Sequence, residues 1–481
     1  MRVKALLRRR PLAVCTLLAT ACATPPATDT PRPNVVLILV DDLGWRDIGA
    51  YGQDVAQTPN LDALARQSQR YTQAYAANPV CSPTRAALMT GKHPSRIPID
   101  DWIPGTTFPT ARMLAPRDRD ELPLAETTLA EALRARGYTT WHVGKWHLGG
   151  EGFLPENQGF DVNWMGSHIG HPASHFFPYD AGKPGHSHTV TRLPPGGATG
   201  DYLADAQARA AAELLRTAAA DHRPFYLQLS FYAVHAPIEA KPADVARHRQ
   251  LAAATGRGPD ARPRPAFAAM LENLDAAVGK VLAALDEHGL ADDTIVVFTS
   301  DNGGLATVSE NAPLRGGKRS LWEGGLRVPL LVRWPGVVPA GTECALPVVT
   351  QDVHRGLRSA AGAAQDPVVA EDAFDLARVW RGEPVAARGP IYWHFPQHET
   401  VQTGPRGAIR DGDWKLIEDL ETGQGLLFHL SRDPGEAHDL AAAEPGRTRE
   451  LLDRLRTWRA HIGAQMPTVN PRYTPAAPES R

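Results

Sequence analysis

The chain places Cys81-Ser82-Pro83-Thr84-Arg85 directly before Ala86-Ala87-Leu88-Met89. Ser82 is a residue type that caps helices, and Pro83 suits a first helical turn. That arrangement sets Cys81 at a helix N-terminus, where negative charge is favoured, with Arg85 four residues on over the same face. The plainer reading of these residues is a buried free cysteine acting as a small hydrophobe. A second set is made of oxygen donors. Asp41-Asp42 follows one apolar run and Asp301-Asn302 follows another. Consecutive strand side chains point to opposite faces, so both members of a pair meet one site only from the turn beyond the strand end. Four oxygen donors there would suit a hard cation, Ca2+ or Mg2+. Ordinary turn chemistry is the alternative use of the same residues.

Three further motifs carry basic groups: Lys145 and His147 in GKWHLG, His235 in VHAP, and Lys318 in PLRGGK. Lys145 and His147 are two apart and share a face if strand geometry persists. The chain has only eight lysines, which argues against a general surface-charge role. Gathered with Arg85 around a cation and Cys81, these groups would bind a tetrahedral oxyanion.

Positioning them requires strands that end together. Asn34–Val40 is a continuous apolar, β-branched run, as expected of a strand buried on both faces. Tyr138–Val143, Phe225–Phe231 and Thr294–Thr299 read as further strands. Helices are expected over Thr58–Gln73, Thr127–Arg136 and Phe267–His288. Alternating strands and helices predict a doubly wound α/β domain, with chemistry beyond the carboxyl ends of the strands. The pattern changes near residue 388. Pro390–Phe395, Gly407–Arg410, Trp414–Ile417 and Leu426–Leu430 read as hairpin strands, followed by a helix over Thr448–His461. We therefore expect a catalytic domain over 34–387, a C-terminal α+β subdomain over 388–465 and a loose Pro-rich tail over 466–481. Residues 163–200 lack periodicity and read as a long loop, a common carrier of function.

The chain has 481 residues, 51 basic and 53 acidic, for a net charge of −2. The first 21 hold five of the basic residues and no acid, so the rest carries 46 against 53, a net of −7. That balance gives no electrostatic case for a nucleic-acid partner. The basic start, the apolar stretch Leu12–Ala21 and Ala19-Thr20-Ala21 form the three parts of a signal peptide over 1–21. The same residues before Cys22 also fit a lipobox. A soluble exported protein and one lipid-anchored at Cys22 both stay open, with 22–33 as a tether. Four cysteines rule out a disulfide framework.

The motifs NVVLILVDDLGW, CSPTRAALMTGK, GKWHLG, VHAP and SDNGG, supported by APLRGGKRSLWEGGLRVP, occur in the order found in one family. Over about residues 32–465 the chain resembles the formylglycine-dependent sulfatases of the alkaline phosphatase superfamily. The segment GAIRDGDWKLI and the later LLFHLSRDPGEAHDLA resemble that family's C-terminal subdomain. The resemblance implies a large, mixed, mostly parallel sheet sandwiched by helices, with a small C-terminal antiparallel sheet and helix. It implies that Cys81 is oxidised to formylglycine by a maturation enzyme, and that the aldehyde hydrate supplies the nucleophile. Asp41, Asp42, Asp301 and Asn302 match the Ca2+ ligands, completed by modified Cys81. Arg85 and Lys145 match residues that hold the hydrate, and His147 matches the base on its second hydroxyl. His235 and Lys318 match residues that bind sulfate and assist the leaving oxygen.

Two segments depart from the family pattern. Met89-Thr90-Gly91-Lys92 replaces the usual Leu-Thr-Gly-Arg, keeping charge but not the planar fork. Val349–Arg355 lacks a Pro-Thr pair common there. The expected substrate is a sulfated carbohydrate at the periplasm, with a rim drawn from Asp100, Asp101, Trp102, His168, His171 and His175; ordinary loop roles fit each of these six as well. A phosphonate or phosphate monoester hydrolase of the same superfamily, and a non-catalytic sulfated-glycan-binding relic, are the alternatives.

Overall fold

Six of the seven residues of Asn34–Val40 (β1) are fully enclosed, because apolar side chains on both faces meet helices. Val36, Ile38 and Val40 pack with the helices Pro59–Arg66 (α1), Leu203–Asp221 (α4) and Pro265–Glu287 (α6). Val35, Leu37 and Leu39 pack with Cys81–Thr90 (α2), Leu129–Arg134 (α3) and the helix Thr350–Ala360. A helix Pro242–Ala254 (α5) lies between α4 and α6 in sequence. Each such aliphatic side chain contributes about 1.5–3 kcal/mol by leaving water. The computed structural model describes residues 32–258, 261–400 and 403–474. The basic leader, Cys22 and nearly all of the tether lie outside them. Among the described residues no helix is long and apolar enough to cross a membrane.

The remaining strands are β2 (Gln69–Tyr75), β3 (Met113–Leu114), β4 (Thr139–Gly144), β5 (Val162–Trp164), β6 (Phe225–Ser230), β7 (Thr294–Ser300), β8 (Arg327–Arg333), β9 (Thr342–Cys344), β10 (Val348–Val349), β11 (Ile391–Phe395), β12 (Arg406–Asp411), β13 (Trp414–Asp419), β14 (Gly425–His429) and β15 (Thr468–Val469). The large sheet runs β10-β2-β8-β7-β1-β6-β4-β5, with β9 also on β2. It is parallel except where β8 runs antiparallel to β2 and β7. The small sheet, β11-β12-β13-β14, is antiparallel and is covered by the helix Pro445–Ile462. The large mixed sheet between helices and the smaller sheet with its helix are the architecture that the sequence predicts.

Two local expectations change. The periodicity predicts a helix over 58–73, but α1 stops at Arg66 and Gln69–Tyr75 is a strand. Tyr71 and Tyr75 turn into the core, and a register shift between Tyr71 and Ala74 bends the strand. Composition predicts a loose tail from 466, yet β15 pairs with β3, and Asn470 Nδ2 donates to Ala111 O at 2.7 Å. Residues 475–481 lie outside the described set.

The two sheets share a core in which Tyr75, Val80 and Ala87 meet Trp393, Phe395, Ile417 and Phe428. They also share a buried ionic network. Lys415 Nζ lies 2.9 Å from Glu323 Oε1 and 2.8 Å from Glu436 Oε1, all three groups being fully enclosed. Glu323 Oε2 accepts from Tyr75 OH at 2.7 Å and from Arg327 Nε at 2.9 Å.

Candidate active site

The carboxyl ends of β7, β1, β6 and β4 lie side by side on one edge of the sheet, because all four run parallel. β1 and β7 are in register to their last residues, Val40 opposite Ser300, so Asp41-Asp42 and Asp301-Asn302 emerge together. β6 leads through four residues to His235, and β4 leads directly to Lys145 and His147. Gly144 makes this exit possible: it sits at φ 105°, and a Cβ there would stand 1.9 Å from Ser230 O. Cys81 opens α2 and is 1% exposed. Val80, not Ser82, occupies the cap position; Ser82 Oγ instead donates to His147 O at 3.0 Å. Lys318 comes from the loop after β7. That loop closes tightly on Asn302, for a Cβ on Gly303 would stand 1.9 Å from Gly324 O.

The structure brings the basic and acidic groups together in pairs. Lys145 Nζ lies 2.6 Å from Asp41 Oδ2, and Lys318 Nζ lies 2.8 Å from Asp42 Oδ1. Arg85 donates to Asp301 Oδ2 through Nη2 at 2.7 Å and Nε at 2.9 Å, and to Lys145 O through Nη1 at 2.9 Å. Cys81 Sγ is 3.6 Å from Asp41 Oδ1. His235 Nε2 is 3.0 Å from Lys318 Nζ and 3.6 Å from Asp42 Oδ2. Ligand atoms of Asp41, Asp42, Cys81 and His235 all fall within 4.8 Å of one another. His235 therefore joins the metal-competent cluster itself, a position that its motif did not disclose. Asp301 and Asn302 join at its edge. Asp42 N donates to Asp301 Oδ1 at 3.2 Å, and Asn302 Nδ2 donates to Asp42 Oδ1 at 2.8 Å.

Burial and charge set the protonation states. Burial would raise Asp42, but Lys318 and His235 hold it well below the ordinary carboxylate range. Burial raises Asp41 despite Lys145. Burial and Asp41 together push Asp301 up to about 6, against Arg85. Burial would raise the Cys81 thiol too, yet Lys145 and Lys318 bring it down to about 6. Three carboxylates are thus crowded where two are held above their usual range, and Asn302 Oδ1 is buried without a hydrogen-bond partner. The oxygen donors of Asp41, Asp42, Asp301 and Asn302, the last an orphaned acceptor, fit a hard divalent cation.

The histidine rings are oriented by carbonyl groups, which can only accept. His147 Nε2 faces Ile103 O at 2.6 Å and must donate, leaving Nδ1 as a buried acceptor without a partner. Burial and Lys145 hold His147 well below its ordinary value, so the ring is neutral. His235 Nδ1 faces Ala236 O at 3.0 Å, which turns Nε2 toward the cluster.

A family model described as sulfatase matches residues 33–360. A second, described as N-sulphoglucosamine sulphohydrolase, C-terminal, matches residues 316–460. The chain belongs to the sulfatase family. This sulfatase is 34% identical to arylsulfatase A of Homo sapiens, over 88% of this chain and 86% of that one. It is 32% identical to N-acetylgalactosamine-6-sulfatase of Sus scrofa, over 92% and 87%. Among solved structures, Ps i-CgsB superposes with a TM-score of 0.74 at 30% identity, covering 92% of this chain and 94% of that one. A phosphonate monoester hydrolase of Agrobacterium radiobacter shares the fold, at TM-score 0.63 and 20% identity over 90% of this chain and 96% of that one. The sulfatase is a sulfuric ester hydrolase, and its Asp41, Asp42, Cys81 and His235 cluster matches the Ca2+ and formylglycine arrangement of that family.

The rim residues divide. The His171 ring lies parallel to His235 at 5.7 Å and stacks on His188 at 4.1 Å, forming a column over the site. His175 is fully enclosed and its Nε2 donates to His235 O at 3.0 Å. His168 is exposed. Asp100 and Asp101 are buried rather than displayed. Asp101 accepts from the N–H groups of Trp102 and Thr106, and Asp100 accepts from Ser95 Oγ at 2.6 Å. Trp102 is half-buried. Motif spacing also passes over Ser167, whose carbonyl accepts the His147 N–H at 3.1 Å. The Gly-flanked, His-rich stretch around it was its only signal.

Proposed function

We propose that this sulfatase is exported and hydrolyses a sulfate ester on a sulfated carbohydrate, with a nucleophile derived from Cys81. The observation that carries the reading is the convergence of Arg85, Lys145, Lys318 and His235 on one buried thiol flanked by Asp41 and Asp42. Asp41, Asp42, Asp301 and Asn302 would hold Ca2+, which supplies charge to the sulfate oxygens and acidifies the nucleophile. Cys81 would be carried as formylglycine, installed by a maturation enzyme, whose hydrate supplies one hydroxyl for attack and a second for release.

The chain's own groups do the rest. Lys145 and Arg85 fix the position of residue 81 and balance the carboxylates around it. Lys318 Nζ binds a sulfate oxygen, where charge builds as the ester bond breaks. His235 delivers a proton from Nε2 to the departing oxygen, since Nδ1–H is committed to Ala236 O. His147 accepts a proton at Nδ1, because its Nε2–H is committed to Ile103 O.

A sugar substrate is supported by two relatives. One is named N-acetylgalactosamine-6-sulfatase, and Ps i-CgsB was solved in complex with k-i-k-neocarrahexaose. Export is supported by the basic, then apolar, leader; Cys22 would supply the membrane contact if lipidated.

Rates on 4-nitrophenyl sulfate, 4-nitrophenyl phosphate and an aryl phosphonate test the reaction class, with sulfate expected to be fastest. Sulfate being slowest would replace this reading by a phosphate or phosphonate ester hydrolase. The mass of the Cys81 peptide tests the nucleophile: a loss of about 18 Da is expected for thiol converted to aldehyde. Sulfated-glycan binding without turnover, on unmodified Cys81, would make the protein a binding relic.

A further inference from the structure

The cationic wall of the site does not end at Lys318. Arg319 comes next, with φ 76°. Its N–H donates to Pro79 O at 2.8 Å, two residues ahead of Cys81. Its Nη2 donates to His398 O at 3.0 Å, and its Nε–H is buried without a partner. Arg85, Lys145 and Lys318 each touch a carboxylate at 2.6–2.8 Å. Among the described residues Arg319 has no ion-pair partner. Asp101 lies near enough to feel its charge, but that carboxylate accepts from the N–H groups of Trp102 and Thr106. Glu399 feels its charge as well.

The Arg319 guanidinium lies over the Trp102 ring, 5.4 Å from its centroid. Trp102 Nε1 is likewise buried without a partner. The next residue ties this loop to the reacting end: Ile103 N donates to Ser82 Oγ at 3.0 Å, and Ile103 O accepts from His147 at 2.6 Å. Two unpaired N–H donors therefore sit on the two segments that flank the start of α2. Buried donors without partners are uncommon, and each calls for an explanation such as a ligand that fills them. A guanidinium without an acid partner matches a planar or tetrahedral oxyanion better than a neutral hydroxyl.

We propose that Arg319, with Trp102 beneath it, forms a subsite for a second anionic group, a carboxylate or a second sulfate, on the sugar whose sulfate ester is cleaved. The inference rests on the sulfated-carbohydrate reading. It predicts that two charges on one sugar are read by two separate parts of the site: Lys318 takes the scissile sulfate and Arg319 takes its neighbour.

The test is calorimetric titration of N-acetylgalactosamine 6-sulfate and N-acetylgalactosamine 4,6-disulfate into the Cys81→Ala protein, which does not turn them over. The disulfate is expected to bind roughly tenfold more tightly or better, as for one added charged hydrogen bond. In Cys81→Ala/Arg319→Gln that ratio should collapse to about one, and Arg319→Lys should restore part of it. Trp102→Phe, which keeps the ring and removes Nε1–H, should give an intermediate ratio. No preference for the disulfate, or a preference that Arg319→Gln leaves intact, overturns the proposal. Failure of the function reading shows separately, as neither sugar binding to the Cys81→Ala protein nor losing sulfate to the wild-type protein.

Discussion

Replacing His235 by Asn tests whether His235 supplies the proton that leaves with the alcohol. The Asn amide can keep the donor to Ala236 O that His235 Nδ1 supplies at 3.0 Å. The change removes Nε2, the atom 3.0 Å from Lys318 Nζ, and leaves Lys318 on Asp42 at 2.8 Å. Lys318 and the carboxylates of the proposed metal site therefore stay in place. A positioned general acid contributes about 10²–10⁴ in rate, or roughly 2.7–5.5 kcal/mol of barrier. That full loss is expected only for basic leaving groups, which cannot depart as anions. Nitrophenolate needs no proton, so its sulfate should lose less than about tenfold. The assay is kcat/KM across 4-nitrophenyl, phenyl and sugar sulfates, plotted against leaving-group basicity, with calcium content measured on each protein. His235→Asn should steepen the slope while metal content holds. A parallel drop across the series would refute the assignment, because it would mean that His235 acts on something common to all the substrates.

Chelation with EGTA should abolish turnover and lower the melting temperature, and added Ca2+ should restore both. Saturation at a hundred times Kd corresponds to about 2.7 kcal/mol, and a melting temperature indifferent to EGTA and Ca2+ would contradict the oxygen-ligand assignment. Arg85→Lys should cut kcat by roughly a hundredfold, since one ammonium cannot bridge Asp301 and Lys145 O as the guanidinium does; unaltered kcat would show that the bridge is dispensable. Lys415→Met should lower stability by about 3–5 kcal/mol, read from urea midpoints, because Glu323 and Glu436 are left buried without their shared cation. His93 gives a pH dependence of definite sign. Burial, then His394, hold it neutral down to about 3 in the folded state, whereas the unfolded chain takes up a proton below about 6.5. Its contribution is therefore present above about 6.5 and lost as pH falls toward 3, at up to 1.36 kcal/mol per pH unit. Urea midpoints of wild type and His93→Gln should diverge over that window, and parallel curves would exclude His93 as a source of acid sensitivity.

The parts of the site legible in the sequence are those fixed by strand ends. β1 and β7 are enclosed on both faces, so they read as apolar runs, and the residues just after such a run fall at the sheet's carboxyl edge. Asp41, Asp42, Asp301 and Asn302 were found for that reason. β2 was illegible because Gln69–Tyr75 is largely polar and continues the spacing of α1; its alternating Tyr71, Gln73 and Tyr75 were the available signal. β8 carries buried arginines at both ends, and Arg333 is held by Gln67, a partner 266 residues away that only the fold supplies. Ser82 has the composition of a cap but serves His147 and Ile103 across the site, a choice set by tertiary contact rather than local propensity. Asp100 and Asp101 look like surface acids in sequence. Their burial is made possible by backbone and side-chain donors from Ser95, Trp102 and Thr106.

The in-register pairing of β1 with β7 has a bearing on how the protein is made. Asp42 and Asn302 are bonded neighbours separated by 260 residues of chain. At about 5–20 residues per second, a ribosome makes them roughly 13–50 s apart. For most of that interval the peptide around Cys81 exists without β7 or the helix Thr350–Ala360, whose side chains share its core. In the folded protein all ten residues of α2 are buried, out of reach of another enzyme. If Cys81 is converted as proposed, the catalyst must reach it before α2 is enclosed, so the rate of folding would set a deadline for that chemistry.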